Sequence, residues 1–300
     1  MADMHRLDDI TIHRLVELES PLPEPPYHPL TFFPNLTPEM LEDNRAWLTG
    51  NGLDPVHGHV LMCFQSYIVV TPHHTVLVDS CIGNDKERSD RPQWHMKSDD
   101  TYMRELAAAG LSVDDIDVVL CTHLHADHVG WNTRLENGRW VPTFPNARYL
   151  FSQRELDHFS AQHKGAPPPY LADSVLPIIE ARRADLVRSD HVLDDHVRLE
   201  PTPGHTPDHF AVHARGRHGG AAVFTGDLIH SPLQTRYPDI SMRRDWDPEV
   251  SAITRRKVLE NCCETGALMC TAHFPSPSMG TISRRGQGFD FHSTTGNDRT

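Results

Sequence analysis

The stretch Ile116-Asp117-Val118-Val119-Leu120-Cys121-Thr122-His123-Leu124-His125-Ala126-Asp127-His128 runs from a block of apolar residues straight into three imidazoles and a carboxylate. A short aliphatic run of this kind predicts a buried strand, and the His-x-His-x-Asp-His that follows it then lies at a strand end. Side chains alternate in direction along an extended or tightly turning segment, so His123 and His125 can converge on one metal ion while Asp127 and His128 reach a second. One loop thereby begins two coordination spheres.

A zinc-type ion takes three or four N, O or S ligands, so the loop needs partners from elsewhere in the chain. Three further strand or turn ends offer them. His205 lies in Pro201-Thr202-Pro203-Gly204-His205-Thr206, where Gly204 relaxes the backbone and the prolines stiffen the turn. Asp227 follows the apolar run Ala221-Ala222-Val223-Phe224, and His273 follows Ala267-Leu268-Met269-Cys270-Thr271-Ala272. With 22 histidines in the chain, a chance pair is expected. A clustered loop plus three separate strand-end ligands is not, because buried polar groups without partners are costly.

His-x-His-x-Asp-His, then a Pro-Gly-His turn, a Gly-Asp strand end and a late His, in this order, resembles the metallo-β-lactamase superfamily of dinuclear metal hydrolases. The likeness runs from about Asp79 to His273. It implies an α/β fold, an αββα sandwich whose ligand loops gather at one edge. It also implies that His123, His125 and His205 hold one metal, that Asp127, His128 and His273 hold the other, and that Asp227 bridges them. Asp79, which ends the strand Thr75-Val76-Leu77-Val78, resembles the aspartate that orients the metal histidines in such proteins. His209 and His230 are weaker candidates for such a supporting role.

Two cations about 3.5–4 Å apart share a bridging water and lower its pKa towards roughly 7, so the expected nucleophile is a bridging hydroxide and the expected reaction a hydrolysis. Asp127 is a candidate proton acceptor as well as a ligand. Zinc is the default metal, and manganese, cobalt or iron suit the same histidine and carboxylate ligands.

Within the superfamily, Asp227 disfavours true β-lactamases, which lack that bridging carboxylate. Glyoxalase II adds a C-terminal domain with basic residues, whereas only a short tail follows His273 here, and flavodiiron proteins need a flavin domain. The remaining resemblance is to the branch of N-acyl-homoserine lactonases and methyl parathion hydrolase-like enzymes, carried by Gly130-Trp131-Asn132 and Gly226-Asp227-Leu228-Ile229-His230-Ser231. One lactonase type carries tyrosine three positions after the bridging aspartate, where this chain has His230, which moves the likeness towards the methyl parathion hydrolase side. The expected substrate is a small carboxylic ester or lactone, with phosphotriesters of the methyl parathion type as the alternative. His230 is then a candidate donor to the substrate oxyanion or leaving group. Trp131, Phe274 and Tyr237 are candidate pocket walls, with Trp94, Phe159 and Met279 behind them. A non-catalytic scaffold on the same fold would be expected to have lost ligands, and all seven positions are filled.

Composition agrees with a globular enzyme: 300 residues, 38% hydrophobic and 23% charged. One metallo-β-lactamase-like domain over 1–300 is expected, with an N-terminal strand and a proline-rich arm at about 1–36 as a linker or homodimer arm. A net charge of −13 gives no basic footprint for nucleic acid. Arg243-Arg244 and Arg255-Arg256 read as solvated faces. No run reaches the ~18 apolar residues of a membrane span, and no secretory signal is apparent, so a cytoplasmic protein with free thiols is expected.

Along the chain, strands are expected at 9–16, 58–70, 75–79 and 148–151, and near Val197, Phe210 and Ala222. Helices are expected from Thr37-Pro38 through Trp47, from Ser98 through Ala109, over 155–159 and 171–184, and from Asp247 towards Cys263.

Overall fold

The computed structural model describes residues 3–22, 27–162 and 165–294. Two sheets face each other. The first carries β1 (Asp3–Leu7), β2 (Ile10–Pro21), β3 (Leu61–Val70), β4 (Thr75–Val78), β5 (Val118–Leu120), β8 (Arg148–Ser152) and β9 (Ala184–Val187), in that order. The hairpin β6 (Thr133–Glu136) and β7 (Arg139–Pro142) stands apart. The second sheet carries β10 (Val197–Pro201), β11 (Phe210–Arg215), β12 (Ala221–Phe224), β13 (Leu268–Cys270), β14 (Met279–Arg285) and β15 (Gly288–Ser293).

Each central strand is apolar on both faces, as a strand covered from both sides requires. Val118 and Leu120 point into the core between the sheets, where they meet Phe210, Val212, Phe224 and Leu268. Val119, between them, points outward into a second core. That core is closed by helices α3 (Thr101–Ala108), α4 (Gln153–Gln162), α5 (Pro169–Ser174) and α6 (Leu176–Glu180). On the other sheet Ala222, Phe224 and Cys270 face inward, while Val223 and Met269 face α8 (Pro248–Thr265), which presents Val258, Leu259 and Cys262. Helices outside and two sheets inside give the αββα sandwich.

A fourth apolar cluster sits over one end of the sandwich. Leu22, the short α1 (Pro29–Phe32), α2 (Pro38–Leu48) and α7 (Leu233–Arg236) contribute to it together with Met62, Phe64, Trp94 and Met242. The Thr37 hydroxyl accepts from Met40 N–H at 3.1 Å and so caps α2 as its sequence suggests.

Several expectations are corrected. The helix expected over 171–184 is two helices, because Pro177 at the start of α6 breaks the first, and Ala184 already belongs to β9. The short tail after His273 is a hairpin, β14–β15, that completes the second sheet. The strand expected at 9–16 is longer and is preceded by β1. Helix α3 begins at Thr101, after Asp100 rather than Ser98. Arg255 is fully buried, giving its N–H groups to the carbonyls of Leu228, Pro238 and Ile240, so that pair is not a solvated face. Part of the proline-rich arm, residues 23–26, lies outside the described residues. All six cysteines are free. Among the described residues, no helix is long and apolar enough to cross a membrane.

Behind the motif loop, Gly130 donates to the Cys81 carbonyl at 2.8 Å, and a methyl group on it would lie 1.9 Å from the Ile82 carbonyl oxygen. Gly130→Ala is therefore expected to cost about 3 kcal/mol, a fall of roughly 6–12 °C in Tm. Gly110→Ala, where no atom lies within 4 Å at φ +78°, is expected to cost only about 1 kcal/mol. Calorimetric melts of the two variants check the contrast, and equal losses would contradict it.

Candidate metal centre

The parallel strands β4 and β5 end at Asp79 and at the 123–128 loop, and β12 and β13 end at Asp227 and His273. Carboxyl ends of neighbouring parallel strands open a crevice, which is where this fold gathers its polar side chains. His205 joins from the turn between β10 and β11. That turn is pinned to the start of α8 by Trp246 N–H on the His205 carbonyl (3.0 Å) and Asp247 N–H on the Gly204 carbonyl (2.9 Å). Gly204, at φ +134°, leaves no side chain between this turn and the Ser251 backbone, which would stand 2.3 Å from a Cβ.

The Asp227 carboxylate is the centre of the cluster. Its Oδ1 lies 2.9 Å from His128 Nε2 and 2.8 Å from His273 Nε2. Its Oδ2 lies 3.1 Å from His205 Nε2, 3.2 Å from His230 Nε2 and 3.7 Å from His123 Nε2. His125 Nδ1 is 2.9 Å from His123 Nε2 and 3.0 Å from His205 Nε2. Asp127 Oδ2 stands 3.9 Å from His128 Nε2 and 3.8 Å from His273 Nε2. Ligand atoms of His123, His125, His205 and Asp227 lie within 4.8 Å of one another, as do those of Asp127, His128 and His273, and those of Asp227, His230 and His273.

The outward nitrogens are spoken for. His128 Nδ1 meets Asp79 Oδ2 at 2.8 Å, His205 Nδ1 meets Asp245 Oδ1 at 2.9 Å, and His273 Nδ1 meets the Cys63 carbonyl at 2.9 Å. His123 Nδ1 meets the Thr122 hydroxyl at 3.1 Å, and that hydroxyl donates to Asp79. Acceptors on the outside fix the proton on Nδ1 and turn an Nε2 lone pair inward. Those lone pairs then confront carboxylate oxygens at hydrogen-bond distance. His128 Nε2, His273 Nε2 and Asp227 Oδ1 are buried with no hydrogen-bond partner. Lone pair against lone pair at 2.8–2.9 Å is repulsive, and divalent cations relieve it, so these residues fit a two-metal site.

Electrostatics tells the same story. Burial pushes His123 down, with the His128 charge next, and burial with the His205 charge does the same to His125. Burial also opposes charge on His205, but the Asp227 carboxylate outweighs it and holds the imidazole up to about 9. His128 and His273 are raised by the same carboxylate against the same burial. Burial acts to raise Asp227, and the surrounding imidazoles, His128 first, overcome it and hold the carboxyl well below its ordinary range. A negative centre that draws positive charge onto its neighbours is the electrostatic form of a cation site.

The structure brings His123, His125, Asp127, His128, His205, Asp227 and His273 together, with Asp79 behind His128. His230 lies on the same floor, stacked on His273 with ring centres 5.4 Å apart, and bonded through Nε2 to Asp227. His209 accepts the Asp227 N–H at 3.0 Å on its Nε2, and burial, with the His205 charge, pushes it down to about 3. Sequence reasoning missed Asp245, whose Oδ1 anchors His205 and whose Oδ2 accepts the Met242 N–H at 3.1 Å. No spacing rule links a carboxylate to a histidine 40 positions away.

A cavity of about 450 Å³ opens over His125, Asp127, Asp227, His230 and His273. The aromatic expectations are corrected here, since Trp131, Phe274 and Tyr237 do not line it. Trp131 stacks on Tyr102 at 5.2 Å in the core and donates to Glu17, Phe274 packs on Phe291, and the Tyr237 hydroxyl accepts from Asn44. Trp131 and Phe274 follow ligand-bearing turns closely in sequence, and the change of direction between neighbouring side chains turns them into the core. Phe159 packs on the His125 ring at 5.6 Å and Met279 lies in the core between the sheets. The walls are Leu22, Tyr27, Phe32, Met62, Phe64, Trp94, Tyr170 and Met242, of which only Trp94 was singled out. Arg243 and Arg244 line the same cavity.

Comparison with known proteins agrees with this geometry. The N-acyl homoserine lactonase AiiA of Bacillus thuringiensis subsp. kurstaki is 23% identical over 165 residues, 55% of this chain and 58% of the lactonase. The chain thus matches less than two thirds of the length of that relative. The dizinc quorum-quenching lactonase AidC superposes with a TM-score of 0.76 at 21% identity, covering 98% of this chain and 97% of AidC. AbOPH, a hydrolase in the beta lactamase superfamily, superposes with a TM-score of 0.78 at 22% identity, covering 99% of both chains. The metallo-beta-lactamase superfamily profile matches residues 61–283, the span that holds every side chain of the cluster, and the chain belongs to that superfamily.

Proposed function

We propose that the chain is a dinuclear metal-dependent hydrolase of carboxylic esters or lactones. The observation that carries this reading is a pair of histidine and aspartate clusters sharing the Asp227 carboxylate at the floor of an apolar-walled cavity. His123, His125 and His205 would hold one divalent ion, Asp127, His128 and His273 the other, and Asp227 both. Bound there, two such cations supply a water acidified towards neutrality and an electrophile for the substrate carbonyl oxygen.

The protein's own groups do the rest. Asp79, Asp245 and the Cys63 carbonyl hold the imidazoles in one tautomer, so the ligand set is preorganised before substrate arrives. His230, with its N–H on Asp227 Oδ2, fixes the bridging carboxylate and presents its ring to the cavity. Asp127 lines the cavity floor, and its carboxylate takes the proton that the attacking water loses and passes it to the leaving oxygen. Leu22, Phe32, Met62, Phe64 and Met242 bind the hydrocarbon part of the substrate and exclude bulk water. Likeness to proteins named as lactonases supports this substrate class.

A panel of a p-nitrophenyl ester, an N-acyl homoserine lactone and paraoxon tests the reading. Ester or lactone turnover is expected to exceed paraoxon turnover, to vanish with chelator and to return with zinc, manganese or cobalt. Undiminished activity after complete metal removal contradicts the proposal. Faster paraoxon hydrolysis favours a phosphotriesterase, and no turnover of any member favours a non-catalytic scaffold.

Asp245→Asn keeps the shape but weakens the acceptor for His205 N–H, so metal affinity is expected to fall about 10- to 100-fold, with one site affected more than the other. Competition with a chromophoric chelator reads this directly. Unchanged affinity at both sites would remove Asp245 from the ligand support.

A further inference from the structure

Arg88, Arg91, Arg243 and Arg244 all open on one cavity, beside the carboxylates of Glu87, Asp90, Asp127 and Asp227. Their situations differ. Arg88 is committed to Asp173 through two bonds of 2.7 and 2.9 Å. Arg91 lies 3.4 Å from Asp90, donates to the Tyr27 hydroxyl and covers the Trp94 ring with its guanidinium 4.9 Å from the centre. Among the described residues, no carboxylate lies within ion-pair distance of Arg244. Its loss of water and the repulsion of Arg91 and Arg243 act against its charge, and Tyr27 and Asp127 act for it.

Arg244 is also held in place. Its amide meets Met242 Sδ at 2.9 Å, and the next residue, Asp245, is buried between His205 and Arg255. Its side chain is exposed and lines the same cavity as His125 and Asp127. A guanidinium on a cavity wall with no carboxylate at ion-pair distance attracts an anion, and the planar fork of arginine matches a carboxylate.

We propose that Arg244, which lines the cavity together with Arg91, is a specificity-determining residue that takes an anionic substituent of the substrate. The preferred substrates of the site are then esters or lactones whose apolar chain ends in a carboxylate. The chain lies along Phe32, Met62 and Met242, and the carboxylate ion-pairs with Arg244. This assignment rests on the hydrolase reading for its turnover arm and is independent of it for its binding arm.

The test uses matched probes, mono-p-nitrophenyl adipate against p-nitrophenyl hexanoate for turnover, and adipate against hexanoate for calorimetric binding. The wild type is expected to favour the extra carboxylate about tenfold to a hundredfold in kcat/KM and in affinity. Arg244→Gln is expected to abolish that preference, read as the ratio of kcat/KM for the two esters, and Arg244→Lys to keep an intermediate ratio. A wild type that does not distinguish the probes overturns the proposal without any variant. So does an equal loss for both esters in Arg244→Gln, which would put Arg244 on the reacting carbonyl. If neither ester is turned over, the hydrolase reading fails, and the binding pair still decides: adipate favoured only when Arg244 is present supports the anion site, and equal affinities overturn it.

Discussion

A buried carboxylate facing inward-turned imidazole nitrogens is the constraint on which the architecture depends. Asp227 is only 4% exposed, and its two oxygens meet five imidazoles at 2.8–3.7 Å. An unpaired charge in such surroundings costs several kcal/mol, and the four imidazoles among these whose Nδ1 atoms already donate outward, those of His123, His128, His205 and His273, cannot as neutral rings hydrogen-bond to it as well. Divalent cations bound there would resolve the conflict by converting mutual repulsion among lone pairs into shared ligation. In the proposed hydrolase the same ions would make the site reactive, so the feature that would destabilise the fold most is the one the chemistry would use.

The sandwich supplies the rigidity this requires. Strand ends from both sheets meet at one edge, so the ligand-bearing loops and turns start from strands fixed by the inter-sheet core. Asp79, at φ +56°, accepts from Thr122 N–H at 2.8 Å while holding His128, which ties the end of β4 to the motif loop after β5. Asp245 and the buried Arg255 tie His205 to α8 in the same way. Each support crosses between elements, and small shifts of either sheet would misplace several ligands together.

The amino-acid sequence made the centre of this arrangement legible and its surroundings much less so. The strand 118–120 and its His-x-His-x-Asp-His end are local patterns, as are the Thr37-Pro38 and Asp247-Pro248 helix starts, and the structure has elements at these places. Asp245, Cys63 and the cavity walls come from segments whose relation to the ligands is purely tertiary. Trp131 and Phe274 were attractive for standing beside ligands in sequence, yet adjacency along a turning chain sends neighbours to opposite sides. Arg243-Arg244 and Arg255-Arg256 look alike as text, and one pair opens on the cavity while Arg255 fills a buried network of carbonyls. The tail after His273 carries little apolar periodicity, and its strands exist because β13 offers them an edge.

Metal content per chain, measured by elemental analysis on protein dialysed free of loosely bound ions, tests the central claim most directly. Two divalent ions for each chain are expected, with both lost or exchanging freely in Asp227→Ala. A count of one or none in the intact protein, or two tightly held ions that ignore the loss of Asp227, would contradict the account.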